Sequence, residues 1–377
     1  MMNAGLGVYE MGSPLIALEK IVVQEVARAL GYPASADGML TSGGSLGNLT
    51  ALLAARQTRA GYDIWQEGSL QTAPLAVMVS EESHYCVERA IRILGWGDKG
   101  LIKVPVDAAF RMRADQLEAK FQEARDQGIR VLAVVANACS TATGSYDPIA
   151  EMADFCEKYN LWLHVDGAHG AAVAFSSQYR PLVTGIERAD SVVLDFHKML
   201  LTPALSTALI FKQGNLSYQT FAQQASYLWA DDQQAEWYNL GKRTFECTKV
   251  AMGLRTYVLL KAYGPALWEQ YIDRCYDLGQ VFAQILRESP DFTLLLNPMA
   301  NIVCFRYTPQ GWQDSGLSAL NHQIRQHLLE SGDFYIVQTQ IQGAIYLRVT
   351  LLNPFTKTED LLALLTKIRT IHQKYHS

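Results

Sequence analysis

The chain has no apolar run approaching the roughly 20 residues that a membrane-spanning helix needs. Its first residues lack the charged-then-apolar layout of a secretory signal. Cysteine is sparse: Cys86, Cys139, Cys156, Cys247, Cys275 and Cys304 are scattered, with no short paired spacing of the kind that builds a zinc site or a redox motif. That pattern predicts reduced thiols and a cytoplasmic protein. Long runs of Lys and Arg are also missing and the net charge is -5, so the chain offers no basic field to a phosphate backbone. Neither nucleic acid nor membrane is expected as a partner. No repeat of fixed period occurs, which removes solenoids and propellers.

What is present is an ordinary globular composition, 49% hydrophobic and 18% charged, enough to bury a sizeable core. At 377 residues the chain exceeds what one compact core usually serves. We therefore expect a large domain over residues 1–265, carrying an N-terminal segment, and a small C-terminal domain over 266–377. Ser13-Pro14 ahead of Leu15, Leu18, Val22 and Val26 reads as a capped helix start with an apolar stripe that Gly31 stops. Apolar runs at 75–80, 101–106, 131–136 and 161–166 then alternate with helical patterns at 84–94, 114–127 and 148–159. Such repetition predicts an α/β fold with a mostly parallel sheet covered on both faces. Runs at 191–196 and 207–211, joined by a short link containing Pro203, finish that sheet. From about Leu267 the order changes to a long helix, strands at 292–296, 302–307, 335–340 and 345–350, a helix at 317–329 and a last helix from Thr358, which predicts a small α+β domain.

Four short segments carry chemistry. In Thr41-Ser42-Gly43-Gly44-Ser45-Leu46-Gly47-Asn48 a small-residue loop runs into a helix, where free backbone N–H groups and a hydroxyl suit a phosphate; a plain glycine turn with a Ser cap would look the same. In Leu161 to Gly170 an acidic residue, Asp166, ends a buried strand at the edge where parallel sheets place ligands. A carboxylate there can keep a pyridine nitrogen protonated and so make the ring an electron sink, or it can simply cap the next turn. A metal reading of His164, Asp166 and His169 fits poorly, because strand alternation turns His164 away from Val165 and no further ligand is evident. In Ser191 to Lys198 an apolar strand delivers a lone lysine beside His197, as an imine-forming amine requires and as an ordinary surface lysine also would. In Ser80 to Tyr85, His84 follows another strand end, placed either to stack on an aromatic ring or to cap a helix.

The order of these pieces along successive strand ends lets them converge on one cleft. In that order the chain resembles the group II pyridoxal-dependent amino acid decarboxylases, relatives of the glutamate, aromatic amino acid, cysteine sulfinate and diaminobutyrate enzymes. The likeness runs from about Tyr9 to the C-terminus and rests on Ser13-Pro14 with Glu19, the Thr41 to Asn48 loop continuing to Arg56, Ser80 to Tyr85, and Ser140-Thr141 with Gly144 and Asp147-Pro148. It continues through His164 to Gly170, Asp190 to Lys198 and Gly241-Lys242-Arg243. The resemblance implies a type I, aspartate-aminotransferase-like fold, pyridoxal 5'-phosphate as cofactor, a small-molecule amino acid as substrate, and a homodimer. It implies Lys198 as the Schiff-base lysine, Asp166 as partner of the pyridine nitrogen and His84 as the residue stacked on the ring. Gly44, Ser45, Ser191 and His197 match phosphate positions, Thr141 a threonine near the cofactor, and Ala168 a small residue against the other ring face. No metal is expected.

Three departures stand out. Relatives usually carry extra N-terminal helices that complete the pocket, so part of the pocket is expected to be missing or supplied differently. The stretch between Tyr227 and Gly241, where relatives carry a loop with a catalytic tyrosine, is short, leaving Tyr227 and Tyr238 as candidates. Asp166-Gly167-Ala168-His169 replaces the commoner Asp-Ala-Ala followed by an aromatic. The expected activity is decarboxylation of an L-amino acid to the amine and carbon dioxide. An aminotransferase or another lyase on the same scaffold, and a degenerate subunit that keeps the cofactor only as a dimer partner, remain open, because fold and cofactor do not by themselves decide which bond breaks.

Overall fold

The computed structural model describes residues 4–68, 73–221 and 236–376. The chain divides into two compact units, one of Met1–Cys139 and Tyr146–Glu269, the other of Ser140–Ser145 and Gln270–Ser377. The division falls inside the helix Ala266–Arg287 rather than ahead of it, and the turn Ser140–Ser145 goes with the smaller unit.

The larger unit is built on a sheet of β1 (Asp37–Thr41), β2 (Leu75–Ser80), β3 (Leu101–Val104), β4 (Arg130–Asn137), β5 (Trp162–Asp166), β6 (Ser191–Asp195) and β7 (Thr207–Phe211). Their order across the sheet is β1-β7-β6-β5-β4-β2-β3. The pairs from β3 to β6 are parallel, while β7 runs against both β6 and β1. Reversing twice returns β1 to the common direction, so β1, β2, β4, β5 and β6 all end on one edge. The register aligns Thr41 with Thr207, Thr207 with Asp195, and Asp166 with Asn137. This is the edge at which open α/β sheets receive ligands. β4 and β5 are buried almost throughout, as their continuous apolar runs require of strands covered on both faces.

Helix α1 (Tyr9–Ala29) begins ahead of the Ser13-Pro14 pair, and Pro14 lies inside it. The cause is distant in sequence: Asn239 Oδ1 accepts from the Tyr9 N–H at 3.0 Å and fixes the first turn. Helices α2 (Gly44–Arg59) and α3 (Tyr85–Ile93) cover one sheet face, where Leu52, Ala55, Val87 and Ile91 pack with Val77, Val135 and Trp162. Among the described residues no helix is long and apolar enough to cross a membrane.

Glycine at position 167 is a steric requirement. A Cβ there would lie 2.3 Å from Ala171 Cβ and 2.9 Å from the Val193 carbonyl oxygen. The departure from the commoner Asp-Ala-Ala motif therefore goes with close packing of the turn after β5 onto β6. Gly167→Ala is expected to cost about 2 kcal/mol or more by overpacking. Urea unfolding checks this: the midpoint should fall with the slope unchanged, and an unchanged midpoint would contradict it.

In the smaller unit β8 (Phe292–Leu294), β9 (Ile302–Tyr307), β10 (Val337–Ile341) and β11 (Ala344–Thr350) form an antiparallel sheet ordered β10-β11-β9-β8. Alternate residues Val303, Phe305 and Tyr307 share one face and meet Phe282, Leu328 and Leu365 in its core.

Candidate active site

At the end of β1 the chain turns through Gly43, whose φ of +112° suits glycine, and enters α2 at Gly44. A Cβ on Gly44 would sit 3.4 Å from Asp195 Oδ1 and 3.5 Å from Ala168 Cβ, so the loop lies directly on the ends of β5 and β6. Ser45 is exposed in the first turn of α2. The strand feeding this loop is held from behind by a buried ion pair. Glu19 Oε1 accepts from the Leu40 N–H at 2.9 Å and from Lys249 Nζ, while Lys249 also donates to the Leu40 carbonyl at 2.6 Å. Both backbone groups of Leu40 are thereby satisfied by one carboxylate and one ammonium.

Asp166 ends β5 as a buried carboxylate. Its Oδ1 accepts from the Ala168 N–H at 3.3 Å and its Oδ2 from Asn48 Nδ2 at 3.2 Å. Burial pushes its carboxyl upward, and the Lys198 ammonium is the main influence drawing it back down. β6 ends at Asp195, and a single helical turn, Phe196–Met199, presents His197 and Lys198. Lys198 Nζ lies 3.1 Å from Asp195 Oδ2, and His197 Nε2 lies 3.6 Å from the same oxygen. Asp195 is buried and also accepts from Thr207 Oγ1. His84 caps α3, with Nδ1 accepting from the Cys86 N–H at 3.3 Å and its ring tilted against Tyr85 at 4.2 Å. Burial lowers the His84 pKa, opposed first by the charge of Asp166.

The structure thus brings Gly44, Ala168, Asp166, His84, His197 and Lys198 to one sheet edge. It does not bring Ser191 there. Ser191 starts β6 and pairs with His164, about 13 Å along the strand from Asp195. Its hydroxyl is fully buried, accepting from Trp162 Nε1 at 2.9 Å and bonding His164 Nδ1 at 2.8 Å. The phosphate position expected for Ser191 is therefore corrected: its hydroxyl serves the core. Thr141 belongs to the smaller unit, exposed in the turn closed by the Ser140 N–H to Ser145 carbonyl bond at 2.8 Å. Tyr238 packs edge-on against Tyr9 and Trp237, and Tyr227 lies outside the described residues. Asp195 and Asn48 carry no role that the sequence alone assigns. The only signals were an acidic residue three before the lysine and a polar residue one turn into α2.

His164 has both ring nitrogens engaged, Nδ1 with Ser191 and Nε2 with Asn48 Oδ1 at 2.7 Å, which leaves neither for a metal. Burial lowers its pKa from 6.5 to about 4. A folded-state pKa below the unfolded one gives stability that is full above about pH 6.5 and is lost as pH falls toward about 4, because the unfolded chain binds a proton the folded one refuses. Between pH 7 and 5 this group should remove about 2 kcal/mol. Buried Asp147, pushed up to about 6, and Asp166, also raised, act with the opposite sign in this window. The difference between wild type and His164→Gln in urea unfolding isolates the histidine: the variant should lose less on acidification, and equal slopes would contradict this.

Fold and edge together define a type I pyridoxal-phosphate enzyme, and the comparisons with known proteins agree. Residues 4–308 match the pyridoxal-dependent decarboxylase conserved domain, and the chain belongs to that family. An aromatic-L-amino-acid decarboxylase of Bacillus atrophaeus is 28% identical over 359 residues, spanning 95% of this chain and 73% of the relative. The acidic amino acid decarboxylase GADL1 of Mus musculus is 28% identical over 381 residues, spanning 98% and 69%. The crystal structure of mouse CSAD in apo form superposes with a TM-score of 0.92 at 27% identity, covering 98% of this chain and 79% of that one. The glutamate decarboxylase domain of a Vibrio parahaemolyticus protein, described as diaminobutyrate-pyruvate transaminase and L-2,4-diaminobutyrate decarboxylase, gives 0.87 at 26%, covering 99% and 76%. The chain is a pyridoxal-phosphate-dependent amino acid decarboxylase, a carboxy-lyase.

Proposed function

We propose that the sheet edge at β1, β2, β5 and β6 is the catalytic centre and that its residues divide the work as follows. Lys198 is the amine that would hold the cofactor through its aldehyde carbon. Asp166 keeps the proton on the ring nitrogen, and His84 packs on the ring face. Gly44, Ser45 and His197 surround the phosphate at the start of α2, where the backbone N–H groups and helix dipole favour an anion. Ala168 packs against the other ring face, and Thr141 is assigned near the cofactor on the family match of Ser140-Thr141 alone. The observation that carries this reading is the meeting of a buried carboxylate, a lysine amine, an imidazole and an open helix start, one for each binding feature of pyridoxal phosphate. When bound, the cofactor supplies the sink for the electron pair left at Cα as carbon dioxide departs. Asp195 receives the Lys198 ammonium whenever that amine is free, its Oδ2 accepting from Nζ at 3.1 Å and keeping the lysine over the site.

Ile93, Phe245, Val250 and Val258 of the larger unit are exposed apolar side chains that a second copy would cover. We assign a cytoplasmic homodimer on that basis and on the reduced, scattered cysteines. Gas and product analysis with glutamate, aspartate, cysteine sulfinate, diaminobutyrate, tyrosine, tryptophan and serine tests the reading. Carbon dioxide and the matching amine should form in equal amounts from at least one of them without added keto acid. A requirement for keto acid with no carbon dioxide would favour an aminotransferase. Cofactor binding with no product from the panel would favour the non-catalytic dimer partner.

A further inference from the structure

Behind Asp166 lies a line of buried polar groups that the roles above leave unused. Trp162 Nε1 donates to Ser191 Oγ at 2.9 Å, and Ser191 Oγ lies 2.8 Å from His164 Nδ1. His164 Nε2 lies 2.7 Å from Asn48 Oδ1. Asn48 Nδ2 in turn reaches Asp166 Oδ2 at 3.2 Å and the Gly44 carbonyl at 3.0 Å. Trp162, His164, Ser191 and Asn48 are all buried, so water does not substitute for any link.

The chemistry at the two ends sets the direction of every bond. An indole N–H only donates, so the Ser191 oxygen accepts there; Asn48 Oδ1 only accepts, so Nε2 of the neutral His164 carries the ring proton and its bare Nδ1 accepts from the Ser191 hydroxyl. His164 is then the neutral tautomer with its proton on Nε2, and that proton goes to Asn48 Oδ1. The Gly44 carbonyl only accepts, which places the Asn48 amide nitrogen toward Gly44 and Asp166. The chain therefore runs one way, from Trp162 to the carboxylate, and ends as a donation to Asp166 Oδ2. Strand alternation makes it possible: His164 and Asp166, two apart on β5, share the face on which α2 presents Asn48. The same amide ties Asp166 to Gly44 and so couples the carboxylate to the start of the proposed phosphate loop.

We propose that Asn48 and His164 are positioning residues: they orient the Asp166 carboxylate and hold it in the anionic form, through a directed hydrogen-bond chain anchored on Ser191 and Trp162. This rests on the reading of Asp166 as the ring-nitrogen partner. The charged or titratable groups that face Asp166 are Lys198, Asp195 and His84 from the other strand ends and the Cys86 thiol from α3, which lies 3.5 Å from Asn48 Nδ2 and which burial pushes up to about 12. None of them is a link of this chain, whose members carry no charge, and the Cys86 thiol beside Asn48 is neutral. Removing the chain therefore changes Asp166 without removing a charge from the cleft.

The test uses the cofactor-loaded enzyme with Asn48→Asp, His164→Leu, His164→Gln and Asp166→Asn, reading kcat, KM and the pH midpoint of the bound cofactor's absorbance. Asn48→Asp has the same shape but sets a carboxyl against Asp166. It should lower kcat about 30-fold or more with KM within about threefold, and should move the absorbance midpoint by at least about one pH unit. His164→Leu should lower kcat about tenfold, and His164→Gln, which retains one donor and one acceptor, should restore most of that loss. Circular dichroism reports folding, and if either Asn48→Asp or His164→Leu fails to fold, the other decides. If Asp166→Asn changes turnover and midpoint while the foldable variants at 48 and 164 change neither, the inference is overturned and the reading of Asp166 stands. If Asp166→Asn also changes neither, the reading of Asp166 falls and the inference falls with it.

Discussion

Lys198→Ala is expected to lower turnover by about 10,000-fold or more and to abolish the absorbance of covalently held cofactor, because among the described residues Lys198 is the lysine at the end of β6. The fold should survive the change. The Lys198 side chain is 38% exposed, and its removal leaves the buried Asp195 carboxylate with Thr207 and His197 as neighbours. Lys249 is a poor substitute, since its ammonium is buried and bonded to Glu19 and to the Leu40 carbonyl. Steady-state turnover and an absorbance scan of purified Lys198→Ala check the expectation; activity within about tenfold of wild type would contradict the assignment.

Asp166→Asn should lower turnover by about 1,000-fold, or about 4 kcal/mol of barrier, while the protein keeps its fold and still binds cofactor. The substitution preserves shape and removes the charge that holds a proton on the ring nitrogen, and an unprotonated ring is a poorer electron sink. The neighbouring donors, the Ala168 N–H and Asn48 Nδ2, point at the carboxylate and would face an amide instead. The same kinetic assay with bound cofactor quantified decides the matter: a loss of less than about threefold would remove Asp166 from the role.

Elements that repeat a simple pattern were legible in the sequence, and elements that depend on distant partners were not. β5 and β6 announce themselves as apolar runs ending in Asp166 and just ahead of Lys198, because strands covered on both faces need no alternation. β1 gives no such signal. Its Asp37 and Gly38 disfavour strands, yet Asp37 is held by Arg243 Nη1 at 2.8 Å, and a Cβ on Gly38 would lie 2.1 Å from the Leu209 carbonyl oxygen. The helix Met252–Tyr263 also gives no clear period, since exposed Leu254 and Val258 blur its apolar stripe. At the site, strand ends located Asp166, Lys198 and His84, but a strand end says nothing about the far end of the same strand. Local spacing therefore groups Ser191 with Lys198, although its hydroxyl belongs to the core beside His164 and Trp162. Asn48 and Asp195 become visible only when α2 is laid on β5 and β6, which no local spacing reveals.

The central claim is that the cofactor is joined to this chain at the end of β6. Reduction of the cofactor-loaded enzyme with borohydride, followed by proteolysis and mass spectrometry, tests it most directly. The account predicts a single reduced pyridoxyl-phosphate adduct, on the peptide containing Lys198. An adduct on Lys212 or Lys249 instead would contradict it.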